Sequence, residues 1–217
     1  AAGHAYHLTL ALYWNTGVRL AFFLLISVLL DRLRDALEHQ RSLAEKDPLT
    51  GLLNARAFRH HCRPQFDLAR RHGQSMAIAY LDLDGFKAVN DRLGHAEGDR
   101  VLQAVAATLS ARMRLSDTAC RMGGDEFVIA LPQTDMDGAR SFFTAFHQNL
   151  MDMAQARQWP VGFSIGVVVA PGAACDFEQA IAYADKLMYK VKQSGKNALL
   201  LEQFVPNDAP APTTGKT

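Results

Sequence analysis

Met76 to Lys87 read MAIAYLDLDGFK. The run is apolar through Leu81 and then ends in acids. A short apolar run bounded by turn signals marks a strand buried on both faces, so Met76–Leu83 is predicted as a central strand with carboxylates at its end. Downstream, Phe86–Leu93 and Gly98–Met113 are predicted helices, the second built on VLQAVAATL. Thr118–Met122 and Glu126–Leu131 are predicted as a hairpin around Gly123-Gly124. Asp137–Arg157 is a helix, Val161–Ala170 a strand, Phe177–Gln193 a helix and Ala198–Leu201 a last strand. Upstream, Asn54–Arg71 reads as a helix interrupted or kinked at Pro64. Helices and strands are interleaved with one hairpin. This predicts an α/β (α+β) domain over 47–204, a central, mostly antiparallel five-stranded sheet surrounded by helices.

The whole chain has 217 residues, 23 Lys+Arg against 22 Asp+Glu and a formal net charge of +1. This near-balance excludes a polyanionic disordered protein and gives no basis for a nucleic-acid partner. Apolar residues make up 49% and charged residues 21%, ordinary for a globular domain with a real core. Cys62, Cys120 and Cys175 lie far apart, with no paired cysteines and no histidine at zinc-ligand spacing. Neither a disulfide framework nor a zinc site is expected.

The apolar content is uneven. Leu20–Leu30 read LAFFLLISVLL, and back to Leu8 the only charge is Arg19. A helix over 8–30 would span roughly 34 Å, enough to cross a hydrocarbon core. Tyr13 and Trp14 suit an interface, while Arg19 is costly unless paired or snorkelling. Residues 1–30 are therefore expected to be a long N-terminal helix that crosses the membrane. Lys and Arg are absent from residues 1–12, whereas Arg32, Arg34, Arg41 and Lys46 follow the span. That bias puts the C-terminal portion in the cytoplasm. Residues 31–46 carry Leu33, Leu37 and Ala44 at seam-like spacing, as in a solvated connector or a parallel dimer stalk. Asp47-Pro48 ends that helix. Residues 205–217, rich in Pro, Ala and Thr, read as a disordered tail.

Chemistry gathers at Asp82-Leu83-Asp84-Gly85-Phe86-Lys87 and at Gly123-Gly124-Asp125-Glu126-Phe127. Carboxylates from a strand end and a hairpin tip can converge on one spot. Oxygen donors without His or Cys suit Mg²⁺, which leaves positions for phosphate oxygens. Gly123 and Gly124 let a nucleotide approach the backbone. Asp84 is read as the N-cap of the helix starting at Phe86. Gly123-Gly124 alone could be a plain turn, but a plain turn does not require Asp125-Glu126 beside it.

These motifs together resemble the GGDEF domains, the diguanylate cyclases. RMGGDEFVIALP carries the signature. DPLTGLLN at Asp47–Asn54, LDLDGFKAVNDRLGHAEGD at Leu81–Asp99, SIGVVV at Ser164–Val169 and ADKLMYKVKQSGKN at Ala184–Asn197 follow the family's order. The resemblance implies a palm-like nucleotidyl cyclase fold and the condensation of two GTP into cyclic di-GMP with release of two pyrophosphates. It implies Asp82, Asp125, Glu126 and the Leu83 carbonyl as metal ligands for Mg²⁺, with Mn²⁺ as an alternative. Asp82, Asp125 and Glu126 form the catalytic set, Glu126 also helping to deprotonate the 3′-hydroxyl.

Asn90 and Asp99 would read guanine, since a carboxylate accepts from guanine N1–H where adenine offers an acceptor. Taken singly, Asn90 is a helix-surface polar residue and Asp99 a helix N-terminal charge. Phe86, Lys87, Gly123, Gly124, Lys192 and Lys196 complete the implied substrate set. Lys192 and Lys196, four apart, are expected to share a helix face. The family usually has Arg where Lys196 stands, and Arg is common where Ala55 stands. Arg114-Leu115-Ser116-Asp117 looks like the inhibitory RxxD site for product; by itself it is an ordinary surface ion pair. One domain holds one GTP, so activity implies a homodimer. The rival reading is a catalytically silent receptor for cyclic di-GMP, against which the intact Asp125-Glu126 pair stands.

Overall fold

The computed structural model describes residues 17–32, 45–171 and 176–205. The chain divides into two compact units, Ala1–Ala44 and Glu45–Thr217. In the first, residues 17–32 are helical (α1), with Phe22, Phe23, Leu24, Leu25 and Leu29 exposed. Residues 8–16 of the expected span and 33–44 of the expected stalk lie outside the described residues, as does the tail over 206–217. Among the described residues no helix is long and apolar enough to cross a membrane.

The second unit is built on a six-stranded sheet ordered β1-β3-β4-β2-β5-β6. Its strands are β1 (Leu53–Asn54), β2 (Met76–Asp84), β3 (Thr118–Gly123), β4 (Glu126–Pro132), β5 (Gly162–Ala170) and β6 (Leu199–Gln203). The helices are α2 (Ala55–Arg71), α3 (Phe86–Leu93), α4 (His95–Ser110), α5 (Met136–Ala156) and α6 (Phe177–Gln193). The central pairings β3–β4, β4–β2 and β2–β5 are antiparallel; the outer pairs β1–β3 and β5–β6 are parallel. The expected sheet had five strands. The sixth, β1, comes from the DPLTGLLN motif and has no periodicity of its own, because two residues held by a remote partner leave no local pattern.

Strand alternation divides the core in two. Ala77, Ala79, Leu81 and Leu83 of β2 face Val105, Leu109, Phe143, Phe146 and Leu150 of α4 and α5. Met76, Ile78 and Tyr80 face Phe58, Phe66, Phe177, Leu187 and Met188 of α2 and α6. Burial of each Val, Leu, Ile, Phe and Met side chain among these contributes about 1.5–3 kcal/mol. Asp82 and Asp84 continue the second face where the helical cover runs out.

Local rules explain most of the boundaries. Asn54 caps α2 by accepting from the Ala57 amide at 2.9 Å. Asp135 caps α5 in the same way, and Asp176 with Gln179 forms a capping box on α6. Pro64 does not interrupt α2, which runs as one element over 17 residues. Helix α4 begins at His95, three residues earlier than expected, because Gly94 at φ 87° turns the chain in a single residue. Gly98 thus lies inside α4. A Cβ there would collide with Asn90 Oδ1 and stand 3.3 Å from Phe86 Cζ. Cys62 and Cys120 are buried free thiols, and burial pushes Cys62 up to about 12.

Gly166 of β5 sets how near α6 can come. A Cβ there would collide with Met188 N and Ala184 O and lie 2.7 Å from Leu187 C, all helix backbone. Backbone cannot move aside as a side chain can. Gly166→Ala is therefore expected to lower stability by about 3 kcal/mol, at the upper end of ordinary overpacking. A urea-unfolding midpoint equal to that of the wild type would contradict this close approach.

Candidate active site

The site forms where β2 and β4 end side by side. Asp82 pairs across the ladder with Glu126 on one side and with Ser164 on the other. Asp82 is 5% exposed. Its Oδ2 accepts from Lys192 Nζ at 2.6 Å, in the last turn of α6. Burial holds the Asp82 carboxyl above its ordinary range; Lys192 opposes that shift, while Asp125 and Glu126 add to it as like charges. These three acids therefore share one electrostatic neighbourhood. Tyr80 donates to Glu126 Oε2 at 3.0 Å and orients it. Burial, then the Glu126 charge, pushes the Tyr80 phenol up.

Asp125 sits in the hairpin turn. The expected turn was Gly123-Gly124, but Gly123 pairs with Glu126, so the loop is Gly124-Asp125. Gly124 adopts φ 52°, a left-handed conformation that favours glycine. The register shifts between Arg121 and Gly123, a bulge that re-aims the tip. Arg121 fastens it. Nε and Nη2 donate to Gly124 O at 2.9 and 2.7 Å, and Nη1 reaches Asp47 at 3.4 Å. Burial raises Asp47, but Thr50 and then Arg121 outweigh it and hold the carboxyl below its usual range. Arg121 escaped the sequence reading. It was a side chain two residues before a glycine pair, and its two hydrogen bonds to the turn give it a role.

Asp84 is not a helix cap. Gly85, at φ 80°, precedes α3 and makes no side-chain cap bond. Asp84 Oδ2 instead accepts from Ser164 Oγ at 2.7 Å and from the Asn197 amide at 2.9 Å. A tertiary demand has overridden the local preference.

The remaining predicted residues fall in three places. Phe86 and Asn90 of α3 face Gly98 of α4, beside the exposed Asp99. Lys87 is exposed on α3. The Leu83 side chain is buried in the core on the face opposite Asp82, which leaves only its main chain for any ligand role. Lys192 and Lys196 do not share a helix face. Helix α6 ends at Gln193, and Lys196 lies in the following turn at φ 64°. Gly195 lets the chain leave the helix there, so helical spacing does not extend to Lys196.

Arg114 and Asp117 stand apart from the acids. The Arg114 amide donates to Asp117 Oδ2 at 2.7 Å, closing a turn ahead of β3. That turn lines an open cleft of about 460 Å³ with Gln74, Ser75, Gln133 and Thr134. The cleft is at the end of β3 and β4 remote from Gly124, roughly 20 Å along strands of this length.

Among the described residues no group of three or more His, Cys, Asp or Glu is arranged to hold a metal ion. The donor chemistry nevertheless fits a hard divalent cation. The donors are oxygen only, and one carboxylate is buried with Asp125 and Glu126 acting on it as like charges. The Lys192 ammonium is the counter-charge to Asp82.

A family model described as diguanylate cyclase, GGDEF domain, matches residues 44–198. The chain is similar to the diguanylate cyclase DgcP of Pseudomonas aeruginosa, with 34% identity over 168 residues, 75% of this chain and 25% of that protein. It is similar to the response regulator PleD of Caulobacter vibrioides, with 34% identity over 175 residues, 78% of this chain and 38% of that protein. It thus spans well under half the length of these curated relatives. A solved microbial GGDEF domain, described with its interaction with bis-(3′,5′)-cyclic di-GMP, superposes with a TM-score of 0.65 at 33% identity, covering 73% of this chain and 99% of that one. Fold, acid cluster and relatives agree, and the chain belongs to the diguanylate cyclase GGDEF-domain family.

Proposed function

We propose that this chain is a diguanylate cyclase that joins two GTP molecules into cyclic di-GMP and releases two pyrophosphates. The observation that carries this reading is the pairing of Asp82 with Glu126 across the β2–β4 ladder, with Asp125 in the adjoining turn and Lys192 against Asp82. The names of the relatives support it.

Each half-reaction forms a bond from a 3′-oxygen to an α-phosphorus and breaks the bond from that phosphorus to the bridging oxygen. The 3′-proton passes to Glu126, which Tyr80 holds in place. Mg²⁺ held by Asp82, Asp125, Glu126 and the Leu83 carbonyl would offset charge on the phosphates and favour the alkoxide. Lys192 and Lys196 bind the leaving pyrophosphate, with Lys87 as a further cation. Asn90 and Asp99, beside Gly98 and Phe86, select guanine. Gly123 and Gly124 leave room for the nucleotide at the hairpin tip. Each domain supplies one GTP, so the working unit is a homodimer whose sites face each other.

Cyclic di-GMP would also bind as an inhibitor at Arg114 and Asp117, with Arg donating to guanine O6 and N7. Residues 8–30 would anchor the chain in the bacterial inner membrane with the catalytic domain in the cytoplasm. The exposed Phe22, Phe23, Leu24 and Leu25 of α1 support an apolar setting.

Incubation with GTP and Mg²⁺ should give cyclic di-GMP by mass spectrometry; a folded dimer that binds cyclic di-GMP but makes none would be a receptor instead. Asp82→Asn and Asp125→Asn should each cost at least about 10²-fold in rate with the fold retained, since each removes charge at the attacked phosphate. Asp99→Asn should reduce the preference for GTP over ATP while leaving the melting temperature nearly unchanged. Unaltered selectivity would move guanine reading elsewhere.

Inhibition by cyclic di-GMP should be non-competitive with GTP, because the RxxD turn and the acids lie at opposite ends of the hairpin. Arg114→Ala should relieve it and keep the initial rate. Equal inhibition of both proteins would reduce the segment to an ordinary surface turn.

Expressed in bacteria, the chain should stay in the membrane pellet through an alkaline carbonate wash, and removal of residues 8–30 should release it. Release of the intact chain by the wash would rule out a spanning helix.

A further inference from the structure

Asp84 joins three segments distant in sequence. Its Oδ2 takes Ser164 Oγ from β5 and the Asn197 amide from the turn after α6. That turn is gripped a second time by the Phe163 amide, which donates to Asn197 Oδ1 at 3.1 Å. Gly162 makes room for it, since a Cβ there would lie 3.0 Å from Asn197 Cβ. Lys196 and Asn197 both hold left-handed backbone, at φ 64° and 49°. Two consecutive residues in this region persist only where their surroundings hold them. Within the helix end, Lys196 N reaches only Val191 O, at 3.0 Å. The lasting hold on the turn therefore comes from β2 and β5, and Asp84 is its acidic member, 9% exposed.

We propose that Asp84 is a positioning residue for the phosphate grip. As an acceptor, it fastens the turn over 195–197 to the end of β2 and so sets Lys192 and Lys196 at a fixed distance from Asp82. The inference rests on the reading that GTP is the substrate. It differs from a metal-ligand role in one respect: it needs an acceptor oxygen with two donors on it, not a negative charge. Asparagine supplies that oxygen and alanine does not.

Two measurements on the full chain separate the possibilities. The first is hydrogen exchange by mass spectrometry on peptides spanning 194–198, without nucleotide. Slow exchange is expected in the wild type and in Asp84→Asn, and exchange faster by about tenfold or more in Asp84→Ala, the cost of losing a hydrogen bond to a charged group. The second is steady-state cyclization. Asp84→Ala should raise KM for GTP by about tenfold with kcat changed less than about threefold, and Asp84→Asn should restore KM to within about threefold of the wild type. If Asp84→Ala fails to fold, Asp84→Asn decides the matter beside Asp82→Asn: near-normal KM supports the inference. Asp84→Asn as inactive as Asp82→Asn would overturn it in favour of a charge or ligand role. Unchanged exchange and KM in a folded Asp84→Ala would overturn it as well. A wild type that makes no cyclic di-GMP would fail the cyclase reading, while the exchange measurement would still test the anchoring of the turn.

Discussion

A carboxylate buried at the end of a central strand needs a partner, because desolvation alone costs several kcal/mol per ion. Lys192 meets Asp82 at 2.6 Å and answers that need. For the ammonium to arrive there, α6 must lie almost on the sheet, which it does only because Gly166 has no side chain. The capping box at Asp176 and Gln179 fixes where α6 starts, and hence which residue of its last turn faces β2. Strand, glycine, helix and ion pair form one chain of dependence. Loss of Lys192 would leave the buried Asp82 carboxylate beside like charges without its counter-charge, a larger cost than losing an exposed pair.

Around this contact, each acid is held by a different device. Asp82 is set by the ladder and Lys192, Glu126 by the ladder and Tyr80, and Asp125 by the turn that Arg121 fastens. Guanine-reading candidates sit on α3 and α4, brought together by the single-residue turn at Gly94 and the bare Cα of Gly98. The α4 start is secured separately: Trp159 donates to Glu97 Oε1 at 2.7 Å and Arg100 to Oε2 at 2.7 Å, which hold the Glu97 carboxyl below its usual range. Strands thus carry Asp82 and Glu126, helices carry Lys87 and Lys192, and short turns carry Asp125 and Lys196.

Much of this was legible in the sequence wherever local chemistry decides. The bounds of α3 and α6 agree with the expectation to the residue, since turns and caps bracket both. The strand MAIAYLDL was legible because a doubly buried strand leaves an apolar run. Legibility failed where a remote partner decides. Strand β1 exists by pairing with β3, Asp84 serves a turn 113 residues away rather than the adjacent helix, and Lys196 left the helical phase at Gly195. Arg121 reaches the turn at Gly124 and, across 74 residues, Asp47, a contact that no local pattern announces. The motif-derived acids fell at a strand end and a turn, where the alternating core pattern says nothing about which polar groups converge.

The opening segment also decides how this domain can be excised. The Asn54 amide donates to Glu45 O at 2.8 Å, the Asp47 amide to Leu52 O at 2.8 Å, and Lys46 bridges to Leu53. Thr50 binds Asp47 through both its amide and its hydroxyl, at 2.8 and 2.7 Å. Residues 45–54 therefore form a closed loop that belongs to the sheet, and its Asp47 side chain pairs with the Arg121 that fastens the hairpin turn. A recombinant fragment trimmed to the first helix of the domain, at Ala55, would lack an edge strand and leave the Arg121 guanidinium without its carboxylate. A fragment begun before Glu45 keeps both, so the natural cut for an autonomous domain falls upstream of the loop rather than at the first long element.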